Sequence, residues 1–169
     1  MRGLLIGRYQ PFHKGHLEVL KEVLGKCDEL IIGIGSAQES HTLENPFTAG
    51  ERIEMIRRCL SKKDRGRTII IPIADINRYA IWVSHVRSQI PPFDVVFTNN
   101  PLTKSLFIEK GFKVQPMHIY DREKYSGTEI RRRMMEGDNW ESLVPKQMLS
   151  YLRKLDGASR LKATTVKDE

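Results

Sequence analysis

Cysteine is scarce in this 169-residue chain: Cys27 and Cys59 are the only two. Both fall in largely helical patterns, which weighs against a disulfide framework or a cysteine zinc site and fits a reducing compartment. Long apolar runs are missing too, none approaching the roughly 20 residues that cross a bilayer. The first residues enter a short apolar stretch with no basic n-region and no small-residue cleavage site. A cytoplasmic protein with no membrane partner is therefore expected. Acidic residues are outnumbered, 21 against 28 basic ones, for a net charge of +7. Such an excess suits anionic partners but does not choose between nucleotides, nucleic acid and solubility. Two glycine signatures are absent as well. Gly3, Gly7 and Gly15 are not followed by the Gly-Lys-Ser/Thr ending of a Walker loop, and Gly33-x-Gly35 does not complete a dinucleotide fingerprint. There is no internal repeat and no low-complexity segment.

What is present is a regular alternation. Leu4-Leu5-Ile6, Leu30-Ile31-Ile32-Gly33-Ile34, Ile69-Ile70-Ile71-Pro72-Ile73 and Val95-Val96-Phe97 are short unbroken apolar runs at wide intervals. Runs of this kind suit strands covered on both faces, as in a parallel sheet. Between them lie helical patterns. Residues 16–26 carry Leu17, Val19, Leu20, Val23 and Leu24, and Thr48-Ala49-Gly50-Glu51 has the capping-box spacing ahead of Ile53, Met55, Ile56 and Leu60. Pro101 opens a further helix through Leu102, Leu106 and Phe107 that stops near Gly111, and Phe112-Lys113-Val114 suits a fifth strand. The order predicts an α/β, doubly wound, Rossmann-like five-stranded parallel sheet with helices on both faces.

The last third is helical. Ser126-Gly127-Thr128-Glu129 is a second capping-box pattern, opening a helix that ends near Gly137, and Pro145 opens another lined by Met148, Leu149, Leu152 and Leu155. From Gly157 the sequence turns polar and basic, which predicts a fraying tail or a segment ordered only by a neighbour. The length suits one domain. We expect it over 1–161, with the sheet core in 1–116, a helical part in 117–161 and a polar tail over 162–169.

Chemistry concentrates just after the first strand, in Gly7-Arg8-Tyr9-Gln10-Pro11-Phe12-His13-Lys14-Gly15-His16. In a doubly wound sheet the ligand crevice lies beyond the carboxyl ends of the strands, and a helix N-terminus there favours phosphate. Gly15 allows a tight turn and close approach of the backbone. Arg8, Lys14, His13 and His16 then make an anion site. Two histidines within four residues at a strand-to-helix turn outweigh the reading of a lone capping histidine. A metal site is the weaker reading, because the His-Glu-x-x-His pattern is absent and His41, His85 and His118 are scattered.

His13-Lys14-Gly15-His16 resembles the His-x-Gly-His signature of the nucleotidyltransferase superfamily, and Ser126-Gly127-Thr128-Glu129-Ile130-Arg131 is similar to its Ser-x-Thr-x-x-Arg signature. Gly35-Ser36-Ala37-Gln38, Asn45-Pro46-Phe47-Thr48, Gly50-Glu51-Arg52, Ala80-Ile81-Trp82-Val83 and Leu143-Val144-Pro145-Lys146 resemble the archaeal type of nicotinamide-mononucleotide adenylyltransferase. That resemblance covers the chain to about Leu161. It implies adenylyl transfer from ATP to nicotinamide mononucleotide, giving NAD and pyrophosphate, with Mg²⁺ held mainly by the ATP phosphates and no tightly bound organic cofactor. It also implies a homo-oligomer, commonly a hexamer.

The resemblance further assigns roles. His13, His16 and Arg131 would be catalytic, with His16 nearest the α-phosphate and Arg131 on the leaving pyrophosphate. Arg8, Gln10, Gly15, Ser126, Thr128 and Asn100 would bind ATP. Gly35, Ser36, Trp82, Tyr79 and Arg52 would line the mononucleotide site, Trp82 stacking on the pyridine ring; Arg52 reads equally as an exposed helical arginine. At least one of Arg131, Arg132 and Arg133 must lie on a solvated face, since three successive helical positions cannot share one direction. Two positions depart from the family pattern: Tyr79 stands where Asn is usual and Asn99 where Gly is usual. The first bears on the choice between the amide substrate and its carboxylate analogue, and the second on the adenosine loop. The alternatives are a superfamily transferase using nicotinate mononucleotide, pantetheine phosphate or FMN, or a nucleic-acid-binding protein. The retention of both signatures disfavours the last.

Overall fold

The computed structural model describes residues 1–166. Its strands are β1 (Arg2–Gly7), β2 (Glu29–Ile34), β3 (Thr68–Pro72), β4 (Val95–Phe97) and β5 (Lys113–Gln115), in one sheet of order β3-β2-β1-β4-β5. Every pairing is parallel. The chain steps outward from β1 to β3, then crosses back and continues through β4 to β5. The winding therefore reverses between β1 and β4, and a crevice opens there beyond the strand ends.

The helices that follow are α1 (Lys14–Leu24), α2 (Ala49–Cys59), α3 (Lys62–Arg65), α4 (Tyr79–Gln89), α5 (Pro101–Glu109), α6 (Gly127–Glu136), α7 (Lys146–Leu155) and α8 (Gly157–Ala163). Successive strand side chains alternate between two cores. Leu4, Ile31 and Val96 face Val83 and Val86 of α4 and Phe107 of α5. Leu5, Ile32, Val95 and Phe97 join residues from α1, α2, α6, α7 and α8. Both faces are covered, which is why β1, β2 and β4 carry unbroken apolar runs.

Caps set the helix boundaries. Thr48 and Glu51 form the expected reciprocal box at α2. Asn100 caps α5 with Pro101 in its first turn, and the left-handed Gly137 ends α6. The box expected at α6 is only half present. Ser126 accepts from the Glu129 N–H, but the Glu129 carboxylate is drawn to Arg132 and Arg133. Sequence patterning also missed α3, a single turn capped by Ser61.

The expectation of a fraying tail from Gly157 is corrected. Residues 157–163 form α8, Leu161 is fully buried, and Arg160 grips Glu51 of α2 through two bonds of 2.6 and 2.9 Å. A Cβ on Gly157 would lie 2.9 Å from the Phe47 ring, so glycine there lets α8 close on the body. The expected tail over 162–169 thus begins as helix, and its last three residues, 167–169, lie outside the described ones. Among the described residues, no helix is long and apolar enough to cross a membrane.

Candidate active site

His13 is the N-cap of α1 and His16 its third residue. The Nδ1 of His13 accepts the His16 backbone N–H at 3.2 Å, and the Nδ1 of His16 accepts the His13 backbone N–H at 3.3 Å. This is a capping box made of two imidazoles, which satisfies two of the donors that a helix start leaves unpaired. The rings stack with centroids 3.5 Å apart. Tyr9 packs edge-on and Phe12 face-on against His16. With each Nδ1 used as an acceptor, a neutral ring must carry its proton on Nε2, which is thereby a donor. Burial lowers the pKa of His13 to about 4, and burial together with the adjoining His13 holds that of His16 well below its ordinary value. Both histidines are neutral donors at physiological pH.

Gly15 sits between them in ordinary helical backbone, so its role differs from the tight turn expected. A Cβ there would lie 2.9 Å from Cβ of Tyr125 and 3.1 Å from the His13 ring, and glycine is what admits Tyr125 beside the imidazoles. Gly127 is tight for a similar reason. Its Cβ would stand 2.8 Å from a guanidinium nitrogen of Arg131 and 3.0 Å from the Gln10 carbonyl.

These parts meet in a cleft of about 430 Å³. One wall is Arg8, Tyr9, Gln10, His13, Gly15 and His16, after β1, and another is Asn99 to Pro101, after β4. The cleft therefore occupies the point where the winding reverses. The start of α6, with Ser126, Gly127, Thr128 and Arg131, closes a third side. Ser126 Oγ takes the Glu129 N–H, leaving the N–H groups of Gly127 and Thr128 without helical partners. Arg131 donates to the Gln10 carbonyl at 2.8 Å and makes no ion pair among the described residues; nor does Arg8. Burial, with the nearby charge of Arg8, lowers the Arg131 pKa. Three arginines (Arg8, Arg122 and Arg131), the His13 and His16 donors and a helix N-terminus share a lining that contains no carboxylate. Such a surface takes a polyphosphate.

The comparisons agree with this geometry. Residues 4–133 match the cytidylyltransferase-like family. The chain is 54% identical to the nicotinamide-nucleotide adenylyltransferase of Archaeoglobus fulgidus, with 99% of each chain covered. It is 48% identical to the enzyme of that name from Picrophilus torridus over the whole of both chains. The chain belongs to the nicotinamide-nucleotide adenylyltransferases of the cytidylyltransferase-like family. Among solved structures it resembles a bifunctional NMN adenylyltransferase/ADP ribose pyrophosphatase from Francisella tularensis complexed with AMP and a manganese ion. There the TM-score is 0.74 and the identity 22%, covering 96% of this chain and 51% of that one. The likeness establishes the nucleotidyltransferase fold.

In this adenylyltransferase, the cleft brings together Arg8, His13, Gly15, His16, Asn100, Ser126, Thr128 and Arg131. Arg132 and Arg133 are instead tied into ion pairs with Glu129, Glu136 and Asp138. Gln10 needs correction: its side chain is buried and held at both ends of its amide by Phe47, donating to the carbonyl at 2.8 Å and accepting the N–H at 2.9 Å. Only its backbone reaches the cleft wall, by holding Arg131.

Arg52 is a clearer correction. It is neither in a mononucleotide pocket nor exposed, but fully buried, with all its N–H groups directed at backbone carbonyls. Its charge pattern in the sequence was that of an ordinary helix surface, and only the loops folded over α2 enclose it.

The other mononucleotide candidates are dispersed. Ser36 bonds Asp75 at 2.5 Å in a second hollow of about 740 Å³, where Arg8 also lies. Trp82 is half-buried in the first turns of α4, edge-on to Phe107, and lines neither hollow; Tyr79, at the start of that helix, is 64% exposed. Gly35 forms part of the carbonyl cage around Arg52.

Sequence reasoning overlooked His118, Tyr120 and Arg122, which line the cleft from the segment before α6. Glu22 of α1 holds that segment by accepting the His118 N–H at 3.1 Å and the Tyr120 hydroxyl at 3.3 Å. The departing residue Asn99 ties the same segment to β4. Its side-chain amide donates to the Met117 carbonyl at 2.7 Å and accepts the Met117 N–H at 2.9 Å. No local pattern marks these long-range ties.

Proposed function

We propose that this chain joins ATP and nicotinamide mononucleotide into NAD and pyrophosphate. The observation that carries the reading is the carboxylate-free cleft in which His13, His16, Arg8, Arg131 and the α6 N-terminus converge. An oxygen of the mononucleotide's 5′-phosphate attacks the α-phosphorus of ATP, and the bond from that phosphorus to the α,β-bridging oxygen breaks, releasing pyrophosphate.

The attacking oxygen is already ionised at neutral pH, so no general base is required. The capping box agrees: each imidazole has a proton on Nε2 and its Nδ1 engaged, and neither can accept a proton from substrate without leaving its partner. Their contribution is to donate to α-phosphoryl oxygens, while Arg131 and the free N–H groups of Gly127 and Thr128 receive the departing pyrophosphate. Fixed donors of this kind act mainly by being in place before charge develops. The cleft lining offers a divalent ion no anionic side chain, and no cluster of three or more metal-ligating residues exists among the described residues. The residues present do not fit a protein-held ion. In this reading Mg²⁺ arrives coordinated by the ATP phosphates, as part of the substrate.

Arg8 borders both the cleft and the hollow containing Ser36 and Asp75, so the reading brings the two substrates' phosphates together beside it. Trp82 remains the proposed platform for the pyridine ring. The same reading makes the protein a cytoplasmic homo-oligomer of one domain spanning 1–161, which light scattering checks for assembly. The deciding experiment mixes the purified chain with ATP, Mg²⁺ and, separately, nicotinamide mononucleotide, nicotinate mononucleotide, pantetheine phosphate and FMN, and follows pyrophosphate release. Release with nicotinamide mononucleotide is expected. Absence of release with both pyridine mononucleotides refutes the reading.

A further inference from the structure

An arginine buried without a carboxylate partner is costly, since desolvation penalises its charge. Arg52 is such a residue. It is fully buried and its pKa is pushed down to about 10, chiefly by burial and then by the charge of Arg8. Its Nε donates to the Thr48 carbonyl, Nη1 to those of Arg8 and Gly35 at 2.9 and 2.8 Å, and Nη2 to those of Ser36 and Glu39. These acceptors belong to three separate stretches: the turn after β1, the loop after β2 and the N-cap of its own helix. The guanidinium is a planar fork, and using every donor fixes the relative position of all three.

Two of these stretches bear the groups that must act together. Arg8 faces the phosphate cleft, whereas Ser36 and Glu39 line the neighbouring hollow, which Arg8 also borders. Ser36 holds a left-handed backbone, φ 47°, unusual for a residue with a side chain, and its carbonyl is one that Arg52 grips. The Ser36 side chain is tied in turn by its bond to Asp75.

We propose that Arg52 is a positioning residue for adenylyl transfer: it touches neither substrate and sets the spacing between the two sites by clamping the Arg8 and Gly35–Glu39 backbones to one cation. This rests on the reaction proposed above. Lysine keeps the charge but has no planar fork, and at most three donors. A shift of about 1 Å in reacting groups can cost about a hundredfold in rate. The inference therefore places the loss in turnover rather than in the affinity of either nucleotide alone.

The test compares the wild type with Arg52→Lys and Arg52→Ala, each assayed for kcat and the two KM values well below its unfolding midpoint. Expected are a fall in kcat of about ten- to hundredfold in Arg52→Lys with each KM within about threefold, and partial recovery of kcat in Arg52→Ala on adding millimolar guanidinium but not equal sodium chloride. A lysine variant that folds and turns over like the wild type overturns the proposal. So does a loss confined to the unfolding midpoint, or a failure of both variants to unfold cooperatively, since each marks a role in stability alone. A wild type that releases no pyrophosphate refutes the underlying reaction instead, so the two failures are distinct.

Discussion

Replacing His13 by Asn tests whether the paired imidazoles are held neutral. Asn keeps an acceptor at the helix N-cap but does not titrate. In the folded protein the His13 pKa is about 4 against an ordinary 6.5 when unfolded. Between those values the unfolded chain binds more protons than the native one, so stability rises with pH through that window. The stabilisation is complete above pH 6.5 and is lost as the pH falls towards 4. From pH 7 to pH 4.5 the His13 share of this loss is about 2.4 kcal/mol, because each pH unit between the two pKa values is worth about 1.36 kcal/mol. His13 is only 5% exposed, so solvent screening does little to reduce it. The assay is urea unfolding of both proteins at the two pH values. Carboxylates titrate in both and drop out of the comparison, as does the burial that chiefly lowers the His16 pKa; the smaller part that comes from His13 is lost with it and adds to the difference in the same direction. The wild type should lose about 2.4 kcal/mol more than His13→Asn, a difference of about 1 M in how far the midpoint moves for a slope near 2 kcal/mol/M. Equal losses would refute the neutral, Nδ1-accepting assignment.

Three further outcomes follow from the same geometry. His16→Ala should lower kcat by about a hundred- to a thousandfold while changing the dissociation constant for ATP far less, because its Nε2 donor is worth most in the transition state; equal losses in single-turnover rate and binding would count against that role. Trp82→Ala should weaken nicotinamide mononucleotide and spare ATP in calorimetric titrations, and unchanged affinity for both would remove the stacking platform. Arg160→Ala, which breaks the half-buried bidentate pair with Glu51 and the 3.1 Å bond to the Pro46 carbonyl, should cost about 2 kcal/mol of stability, and a urea midpoint unmoved by it would show that α8 is held by Leu161 alone.

The sheet and most helices could be read from the chain because their signals are local. Thr48 with Glu51, Pro101 after Asn100 and Gly137 at a helix end all act within a turn or two, and the apolar runs of β1, β2 and β4 report burial on both faces. This side of the cleft was equally legible, since His13, His16 and the Ser126–Arg131 turn lie at helix starts that the same rules locate. What escaped depends on distant contacts. Arg52 looks like any surface arginine until loops cover it, and Gln10 looks like a ligand contact until Phe47, distant in sequence, takes both ends of its amide. Polar, basic α8 has no apolar period of its own, and Leu161 is buried only by what the rest of the fold presents to it.

The attachment of α8 bears on when the protein becomes competent. Arg160 secures Pro46 and Glu51, next to Phe47; Phe47 holds the Gln10 side chain; and the Gln10 carbonyl holds Arg131. A ribosome delivers the histidine turn early, but it delivers α8 after every strand of the sheet. A nascent chain can therefore fold its sheet and still lack the far end of this relay, so the braced phosphate wall should be completed only when the last described helix has emerged and docked.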